Sequence, residues 1–285
     1  MTNDVNIENT GVKVEIDSKI PETVDAVQKI IPRTLTALDK LGESLLTVGG
    51  LPLLLSKEYA SHYLTETKQK LAQKLASIPE NQIHPPKMYM ANPLLQDMFS
   101  YMDNESLHNL FVNLLASSMD SAKDRLVHPA FVSVIKNLSP LDASALTSST
   151  FKNTFFPVYT VMFQKKSSPH ELAKTVGFPF KTLSVGQEIL SHVANFSDVN
   201  IRSPAQDINT ILDNLIRQGL IEIDKSQFLT SESNYKKDIS FLWGMKKEIE
   251  SHIPENAPKD RELAIIPALG RVTSFGRNFL QACVY

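Results

Sequence analysis

Apolar residues recur at helical spacing along much of the chain, and this pattern predicts a mostly helical protein. The clearest apolar face starts at Leu107 and repeats after three, four, seven and eight residues, which keeps the side chains on one side of a helix. We place its N-terminal cap at Asp103. Residues 131–138 repeat the spacing, and a further short helix is expected over 141–146. Short links between these three helices predict an antiparallel cluster.

Three predicted helix starts share a Ser-Pro pattern, at Ser139, Ser168 and Ser203. In each, the serine can accept hydrogen bonds from exposed N–H groups, and the proline occupies a first-turn position where its missing N–H costs nothing. An acid or amide at the third helical position can reach back to the cap. We therefore expect a helix to begin after each of these serines.

The N-terminal third contains patterns for two helices. They cover residues 24–48 and 57–77, with a break at Gly49-Gly50-Leu51-Pro52 between them. The second helix has a sparse apolar side and is expected to lie on a surface. The polar N-terminus predicts a short mobile tail rather than a signal peptide. The proline-rich residues 79–93 lack a period and predict a connector.

The C-terminal part changes character. An apolar face over 208–216 predicts a helix that ends at Gly219, and the alternation over 220–223 predicts a strand. Helix, glycine and strand follow one another in this order in a winged helix. The second strand of the hairpin is expected at 263–266 or 271–273, after a helical pattern over 239–249. A final short helix is expected to contain Phe275, Phe279, Leu280 and Cys283.

These patterns divide the chain into a mobile tail (1–20), an N-terminal helical segment (21–78), a central helical domain (79–167) and a winged-helix-like C-terminal domain (168–285). The predicted fold is mostly α, with N-terminal helices and a central helical cluster. The C-terminal module is predicted to be α+β, winged-helix-like, with a small β-hairpin and a helical insertion.

Five segments carry a resemblance to a known family. They are residues 110–116, 128–132, 138–143, 213–221 and 272–279. Together they resemble the bacterial Abi-alpha (abortive infection alpha) family, over most of the chain from about Pro86 onward. The resemblance implies a cytosolic component of bacterial phage resistance that acts by halting or killing the infected host. It brings no catalytic motif with it.

Overall charge and cysteine content fit a cytoplasmic protein. The chain has 285 residues, with 29 Lys plus Arg against 31 Asp plus Glu, so its formal charge of −2 gives no general attraction to nucleic acid or acidic lipid. The lone cysteine, Cys283, excludes an intramolecular disulfide, and we expect it to be a buried apolar residue. The most membrane-like stretch, residues 45–55, is far shorter than the roughly 20 apolar residues that span a bilayer.

The sequence lacks local signatures of catalysis and metal binding. Its seven histidines never lie three or four residues apart, and it has no phosphate loop, dinucleotide-binding glycine motif or nucleophile elbow. Glu188 and His192 could supply two metal ligands, but a surface pair is the favoured interpretation. His128 is expected to bond neighbouring backbone, and Asp142 to complete a capping box. We predict no catalytic residue, no metal and no cofactor, and we favour a protein without enzymatic activity.

Charge also bears on whether the winged-helix-like module binds nucleic acid. Residues 168–285 contain 13 Lys plus Arg and 14 Asp plus Glu. The helix that would enter the groove has Arg217 against Asp207 and Asp213, the opposite of the balance that phosphates require. A weak helix-turn-helix pattern starts at Glu171 and points toward DNA. We favour protein contact over base recognition.

The candidate residues for contact with a partner or with nucleic acid are cations and one tryptophan: Arg217, Lys236, Lys237, Trp243, Lys246, Lys247, Arg271 and Arg277. Trp243 and Tyr235 could form a partner-facing patch, and core packing explains Trp243 equally well. The leading hypothesis is a phage-defence protein that binds a host or phage protein. The alternative is a nucleic-acid-binding winged-helix regulator, and the third is a membrane-acting effector. Homo-oligomerisation stays open.

Overall fold

The computed structural model describes residues 57–165, 186–199, 205–230, 233–251 and 260–285. Within them the helices are α1 (Lys57–Leu75), α2 (Met88–Met98), α3 (Glu105–Ser117), α4 (Ala130–Lys136), α5 (Pro140–Ala145), α6 (Ala205–Arg217), α7 (Ser233–Lys236), α8 (Ile239–Ser251) and α9 (Ser274–Phe279). The strands are β1 (Phe155–Lys165), β2 (Gly186–Val193), β3 (Ile221–Asp224) and β4 (Arg261–Val272).

Several sequence predictions fall outside the described residues. These are the tail over 1–20, the helix over 24–48, the Gly-Pro break with the segment over 45–55, the helix starts at Ser168 and Ser203, and the pattern from Glu171. The predicted helix over 57–77 corresponds to α1. None of the described helices is both long enough and apolar enough to cross a membrane.

Helix α3 lies at the centre of the helical layer, as its apolar spacing predicts. Leu107, Phe111 and Leu114 are buried, and α1, α2, α4 and α5 all contact this helix. The predicted cap at Asp103 is wrong by one residue. The side chain of Asn104 accepts the N–H of Leu107 at 3.0 Å, because Asn104 has the extended backbone that turns a capping side chain toward the first turn.

The predicted connector over 79–93 is only partly correct. Residues up to Lys87 hold a short 3₁₀ turn, Glu80–Gln82, but α2 begins at Met88 and includes Pro93 in its interior. Proline removes one helical hydrogen bond there. The helix persists because Met90, Leu94, Leu95 and Met98 are buried on one side of it, and this packing outweighs the missing bond.

Helix α5 begins with the capping box that the sequence predicts. The Asp142 N–H donates to Ser139 Oγ at 3.1 Å, and the Ser139 N–H donates to Asp142 Oδ2 at 2.6 Å. Asn214 of α6 also donates to Asp142 Oδ2, at 2.6 Å. Asp142 is therefore a structural residue that ties α5 to α6.

The described strands form one antiparallel sheet in the order β2-β1-β4-β3. This sheet corrects the expectation of a small hairpin, because the sequence patterns did not identify β1 or β2. Strand β3 does pair with β4 across the predicted helical insertion, with Ile221 opposite Val272. Strand β4 has twelve residues and joins the two short segments that were expected as alternatives. The fold is thus mixed α and β.

Two prolines lie inside the central strands of this sheet. Pro157 of β1 is opposite Leu269, and Pro267 of β4 is opposite Tyr159. The pairing of β1 with β2 starts only at Tyr159, and that of β4 with β3 covers only Leu269 to Val272. Each proline therefore lies where its strand has one paired neighbour among the described strands, a position that tolerates the missing N–H.

Helix α6 packs against the sheet and joins its two edges. Its face buries Ile208, Ile211, Leu212 and Leu215, and the helix contacts both β2 and β3. Gly219 then turns the chain into β3 with a φ of 71°, a conformation that favours glycine. Beyond β3, Lys225 donates to both carboxylate oxygens of Glu188 on β2, at 3.0 and 2.9 Å.

The end of the chain returns to the helical layer. After α9, residues Leu280–Val284 form a π-helical turn whose carbonyl groups meet α3. Asn113 donates to the carbonyl of Cys283 and Ser117 to that of Ala282, each at 2.8 Å. Cys283 is fully buried, as predicted, and burial raises the pKa of its thiol well above the ordinary value.

Candidate interaction surface

The helical insertion between β3 and β4 exposes the only tryptophan of the chain. Leu242 and Met245 of α8 point inward and are 3% and 4% exposed, whereas Trp243 is 58% exposed. Of the two interpretations left open by the sequence, core packing of Trp243 is therefore wrong. A large aromatic side chain held outside by a packed helix is typical of an anchor for a partner.

Lysines flank Trp243 on the outer side of α8. Lys246 and Lys247 follow it by three and four residues and Glu250 by seven, so these side chains lie on one side of the helix. Lys246 Nζ lies 5.4 Å from the centroid of the indole ring, within the range of a cation–π contact, and 3.8 Å from Glu250 Oε1. We call Trp243, Lys246, Lys247 and Glu250 the Trp243 surface.

A buried carboxylate fixes the start of α8 to the sheet. Tyr159 of β1 donates its hydroxyl to Asp238 Oδ2 at 2.5 Å, and Asn195 donates to Asp238 Oδ1 at 2.9 Å. The carbonyl of Asp238 accepts the N–H of Leu242 at 2.8 Å. Burial and then the nearby Asp238 raise the pKa of Tyr159 far above its ordinary value, so the hydroxyl keeps its proton. The Trp243 surface is therefore held at a fixed place on the sheet.

Tyr235 does not belong to the exposed patch that the sequence suggested. Its side chain is 3% exposed, and its ring lies 6.2 Å from that of Tyr159 in an edge-to-face arrangement. The predicted pairing of Tyr235 with Trp243 on one patch is therefore wrong. Tyr235 instead helps to pack α7 against β1.

A polar cleft of about 400 Å³ lies beside the insertion. Asp198 and Asp238 both line it. Asp198 accepts from Ser148 Oγ at 2.7 Å and from the Ser149 N–H at 2.6 Å. Burial raises the pKa of Asp198, but the hydrogen bonds from Ser149 and Ser148 outweigh it and lower the pKa overall. The sequence patterns did not bring these distant residues together.

The composition of this cleft bears on the choice between catalysis and binding. A converging set of acids, histidines and serines would contradict the hypothesis of a non-enzymatic interaction protein. The cleft does bring acids and serines together. None of its described lining residues is a histidine. Ser148 caps the 3₁₀ turn Ser149–Lys152, and its hydroxyl donates to Asp198, so both groups have structural partners. The Ser148 hydroxyl also accepts the N–H of Thr150 at 3.2 Å, the contact of a capping residue.

Two of the described histidines, His192 and His128, have local partners. His192 Nδ1 lies 2.7 Å from Asp213 Oδ1, and Glu188 pairs with Lys225, so the two residues considered as metal ligands each have another partner. His128 Nδ1 accepts the N–H of Ala130 at 3.1 Å, as expected. No group of three His, Cys, Asp or Glu residues within the described ranges could hold a metal ion.

One buried histidine was not identified from the sequence. His108 of α3 is 1% exposed, and its Nε2 lies 3.1 Å from Thr67 Oγ1 of α1. Burial and then the charge of Lys70 lower the pKa of His108 to about 4. His108 lies between the positions that form the apolar face of α3. It is buried because α1 covers it, and the hydroxyl of Thr67 on α1 contacts its ring. His108 fastens α1 to α3.

The remaining candidate contact residues have different neighbours. Arg217 donates to Asn214 Oδ1 at 2.8 Å in a groove that Asp207 and Asp213 also line. Arg271 forms an ion pair with Glu222 across β4 and β3. Arg277 lies on α9 beside a separate pocket. Lys236 and Lys237 are exposed just before α8, and Lys237 lines the polar cleft.

Comparisons with known proteins identify one family. A protein-family model described as abortive infection alpha matches residues 59–283. No curated protein matches the chain. Among solved structures, one similar chain is an uncharacterized protein from the hydrocarbon-degrading marine bacterium Alcanivorax borkumensis SK2. The two sequences are 17% identical, and the match covers 58% of this chain and 96% of that chain, with a TM-score of 0.30. A likeness at that TM-score carries no argument about fold or function.

Proposed function

The chain belongs to the abortive infection alpha family, and on that basis we propose that it acts in bacterial phage defence by binding another protein. The proposed partner is a host or phage protein, and the proposed setting is the bacterial cytoplasm. The buried Cys283, the lone cysteine of the chain, is compatible with a reducing compartment. Membership of the family supports the defence role, whereas the mode of action rests on the surface described above.

The exposure of Trp243 is the observation that carries the proposed mode of action. Covering about 100 Å² of an indole ring contributes about 2.5 kcal/mol to association at about 25 cal/mol per Å². The inward packing of Leu242 and Met245 and the anchoring of Asp238 hold the helix that carries the ring in place before a partner arrives. A helix that is ordered before binding loses little backbone entropy on association, which favours its use to present an anchor.

The test compares phage plating and host survival across matched strains. Bacteria would carry the intact gene, Trp243→Ala, Tyr89→Ala or an empty vector. Tyr89 is the matched control because it is an aromatic residue of α2 with 61% exposure. We expect the intact gene and Tyr89→Ala to lower plaque numbers with host death at high phage dose, and Trp243→Ala to plate like the empty vector. Equal protection by both variants at equal protein levels would overturn the proposal.

The nucleic-acid-binding, winged-helix-like regulator stays the second proposal. It would use the cations Lys236, Lys237, Lys246, Lys247, Arg271 and Arg277 as one basic face, and it predicts salt-sensitive DNA binding. The ion pair of Arg271 with Glu222 and the acids around Arg217 weigh against it. The membrane-acting hypothesis depends on residues 45–55, which lie outside the described residues.

A further inference from the structure

We propose that the N-terminal half of α1, residues 57–70, is a lid over His108 that opens from α3 when the His108 ring takes up a proton. This inference goes beyond the proposed function and does not depend on Trp243. Three observations carry it: the narrow contact of α1 with the helical layer, a polar pair at the centre of that contact, and the charged groups around the buried ring.

Helix α1 contacts the helical layer through a narrow stripe, and α3 is the described element that it mainly contacts. Its buried positions recur every four residues: Tyr63, Thr67, Leu71 and Leu75. The C-terminal half of α1 contributes the two leucines, both fully buried. In the N-terminal half the described buried side chains are Tyr63 and Thr67, and Leu64 is only partly buried. A segment with few buried apolar contacts opens at lower cost than the core, so the first half of α1 is the weaker half.

A polar pair lies at the centre of the contact between α1 and α3. Thr67 Oγ1 donates its proton to the carbonyl of Tyr63 at 2.9 Å, so the same oxygen accepts the Nε2–H of His108 at 3.1 Å. Thr67 is 0% and His108 1% exposed. The closed lid therefore holds His108 as a neutral ring with its proton on Nε2. This pair fixes the position of α1 on α3 but adds little apolar contact.

The surroundings of His108 oppose a second proton on its ring while the lid is closed. Burial, and then the charge of Lys70, lower the pKa of His108 to about 4, whereas the charge of Glu66 acts in the opposite direction. Lys70 Nζ lies 2.8 Å from Glu66 Oε1 and 3.7 Å from Glu105 Oε1 on α3. In the open state the ring meets water and titrates near the ordinary histidine pKa of 6.5. The open state therefore binds the proton more tightly, and acid shifts the population toward it.

Two further polar contacts between the lid and the helical layer are weak. The ion pair from Lys70 to α3 uses Glu105, whose side chain is 79% exposed, and such a pair is worth little in water. The Tyr63 hydroxyl donates to the carbonyl of Met98 at 3.3 Å, which is long for an O–H donor. Opening of residues 57–70 exchanges these contacts for water and uncovers His108 on α3.

The test is amide hydrogen exchange of the full chain at pH 7 and pH 5, corrected for the intrinsic exchange rate at each pH. The amides of residues 61–70, which have helical acceptors, report the lid, and those of α3 report the layer beneath it. His108→Gln removes the titrating ring but keeps an amide that can donate to Thr67. His128→Gln is the matched control, because His128 lies outside this contact and bonds the N–H of Ala130. Thr67→Val removes the acceptor and nearly keeps the side-chain shape.

In the wild type we expect the lid amides to be less protected than the α3 amides by about tenfold or more at both pH values, because the lid opens while α3 stays folded. Between pH 7 and pH 5 the protection of the lid should fall about 20-fold, the ratio set by a ring pKa of about 4 when closed and 6.5 when open. His128→Gln should behave like the wild type, and His108→Gln should lose this pH response. Thr67→Val should lower lid protection about tenfold at pH 7, because the buried Nε2–H loses its acceptor.

Three results would overturn the inference. The first is equal protection of the lid and α3 in the wild type, which would mean that the two helices separate only when the whole layer unfolds. The second is a pH response of the lid that persists in His108→Gln. The third is lid protection in the wild type that does not fall at pH 5, or that Thr67→Val leaves unchanged at pH 7, and this result decides the question even if His108→Gln does not fold.

Discussion

Removing the hydroxyl of Tyr159 should loosen the insertion that presents Trp243. In Tyr159→Phe the buried ring stays, so the apolar packing is nearly unchanged, but Asp238 Oδ2 loses the donor now at 2.5 Å. A hydrogen bond to a charged group contributes about 1.5–3 kcal/mol, and we expect a loss of stability in that range. The matched control is Tyr101→Phe, because the Tyr101 hydroxyl donates to the neutral carbonyl of Lys136 at 3.2 Å in a half-buried setting. We expect about 0.5–1.5 kcal/mol there.

Urea unfolding of the wild type and both variants measures these costs, and hydrogen exchange locates them. In Tyr159→Phe the amides of α8 should exchange faster than in the wild type, while those of α3 keep their protection. A double-mutant cycle with Asp238→Asn should show coupling, because the two side chains contact each other directly. If Tyr159→Phe costs no more than Tyr101→Phe and the α8 amides are unchanged, the anchoring role of Asp238 is refuted.

Two further predictions concern the helical layer and the closing helix. The pKa of His108 is lowered from 6.5 to about 4, so between these pH values the unfolded chain binds a proton that the folded chain does not. The free energy of unfolding should therefore be highest above about pH 6.5 and fall as the pH drops toward 4. We expect a loss of about 2 kcal/mol between pH 7 and pH 5. Urea unfolding at both pH values should show this loss in the wild type and a smaller one in His108→Gln, and equal losses would contradict the argument. Gly276→Ala should destabilise by about 3 kcal/mol, because its Cβ would overlap the carbonyl oxygen of Leu220. Gly244→Ala, which has open space, should stabilise by about 0.5–1 kcal/mol in the same assay, and similar effects at both glycines would refute the steric account.

The helical layer was predictable because its signals are local. The apolar face that starts at Leu107 and the capping box at Ser139 depend on residues within one or two turns, and the structure contains both. Asp103 and Asn104 are both capping residues, so the composition alone could not separate them. The sequence patterns did not predict helix α2, because Pro93 argues against a helix at this position. The helix is stabilised by the packing of its apolar face against α3, which the sequence patterns do not show.

The sheet was harder to predict because its two central strands, β1 and β4, are largely buried and each contains a proline. Strand β1 contains a nearly continuous apolar run without the alternation that marks a half-buried strand. Proline is rare inside central strands, and Pro157 and Pro267 are tolerated because of where the pairings with β2 and β3 stop. The ends of the β1–β2 and β3–β4 pairings are set by tertiary structure, and the local sequence has no pattern that marks them.

The candidate surface was half predicted. The helical period placed Trp243 on the inserted helix together with Lys246 and Lys247, and all three lie on its outer side. The same period could not decide whether Trp243 points inward, since Leu242 and Met245 offer an equally good apolar face. The anchor formed by Tyr159 and Asp238 joins residues 79 positions apart, a distance that sequence patterns do not connect.

The most direct test of the central claim is the efficiency of phage plating on cells with the intact gene, Trp243→Ala or Tyr89→Ala, with the protein level measured in each. Protein contact through Trp243 predicts that Trp243→Ala loses protection at an unchanged protein level while Tyr89→Ala keeps it. Full protection by Trp243→Ala at that level would contradict the account.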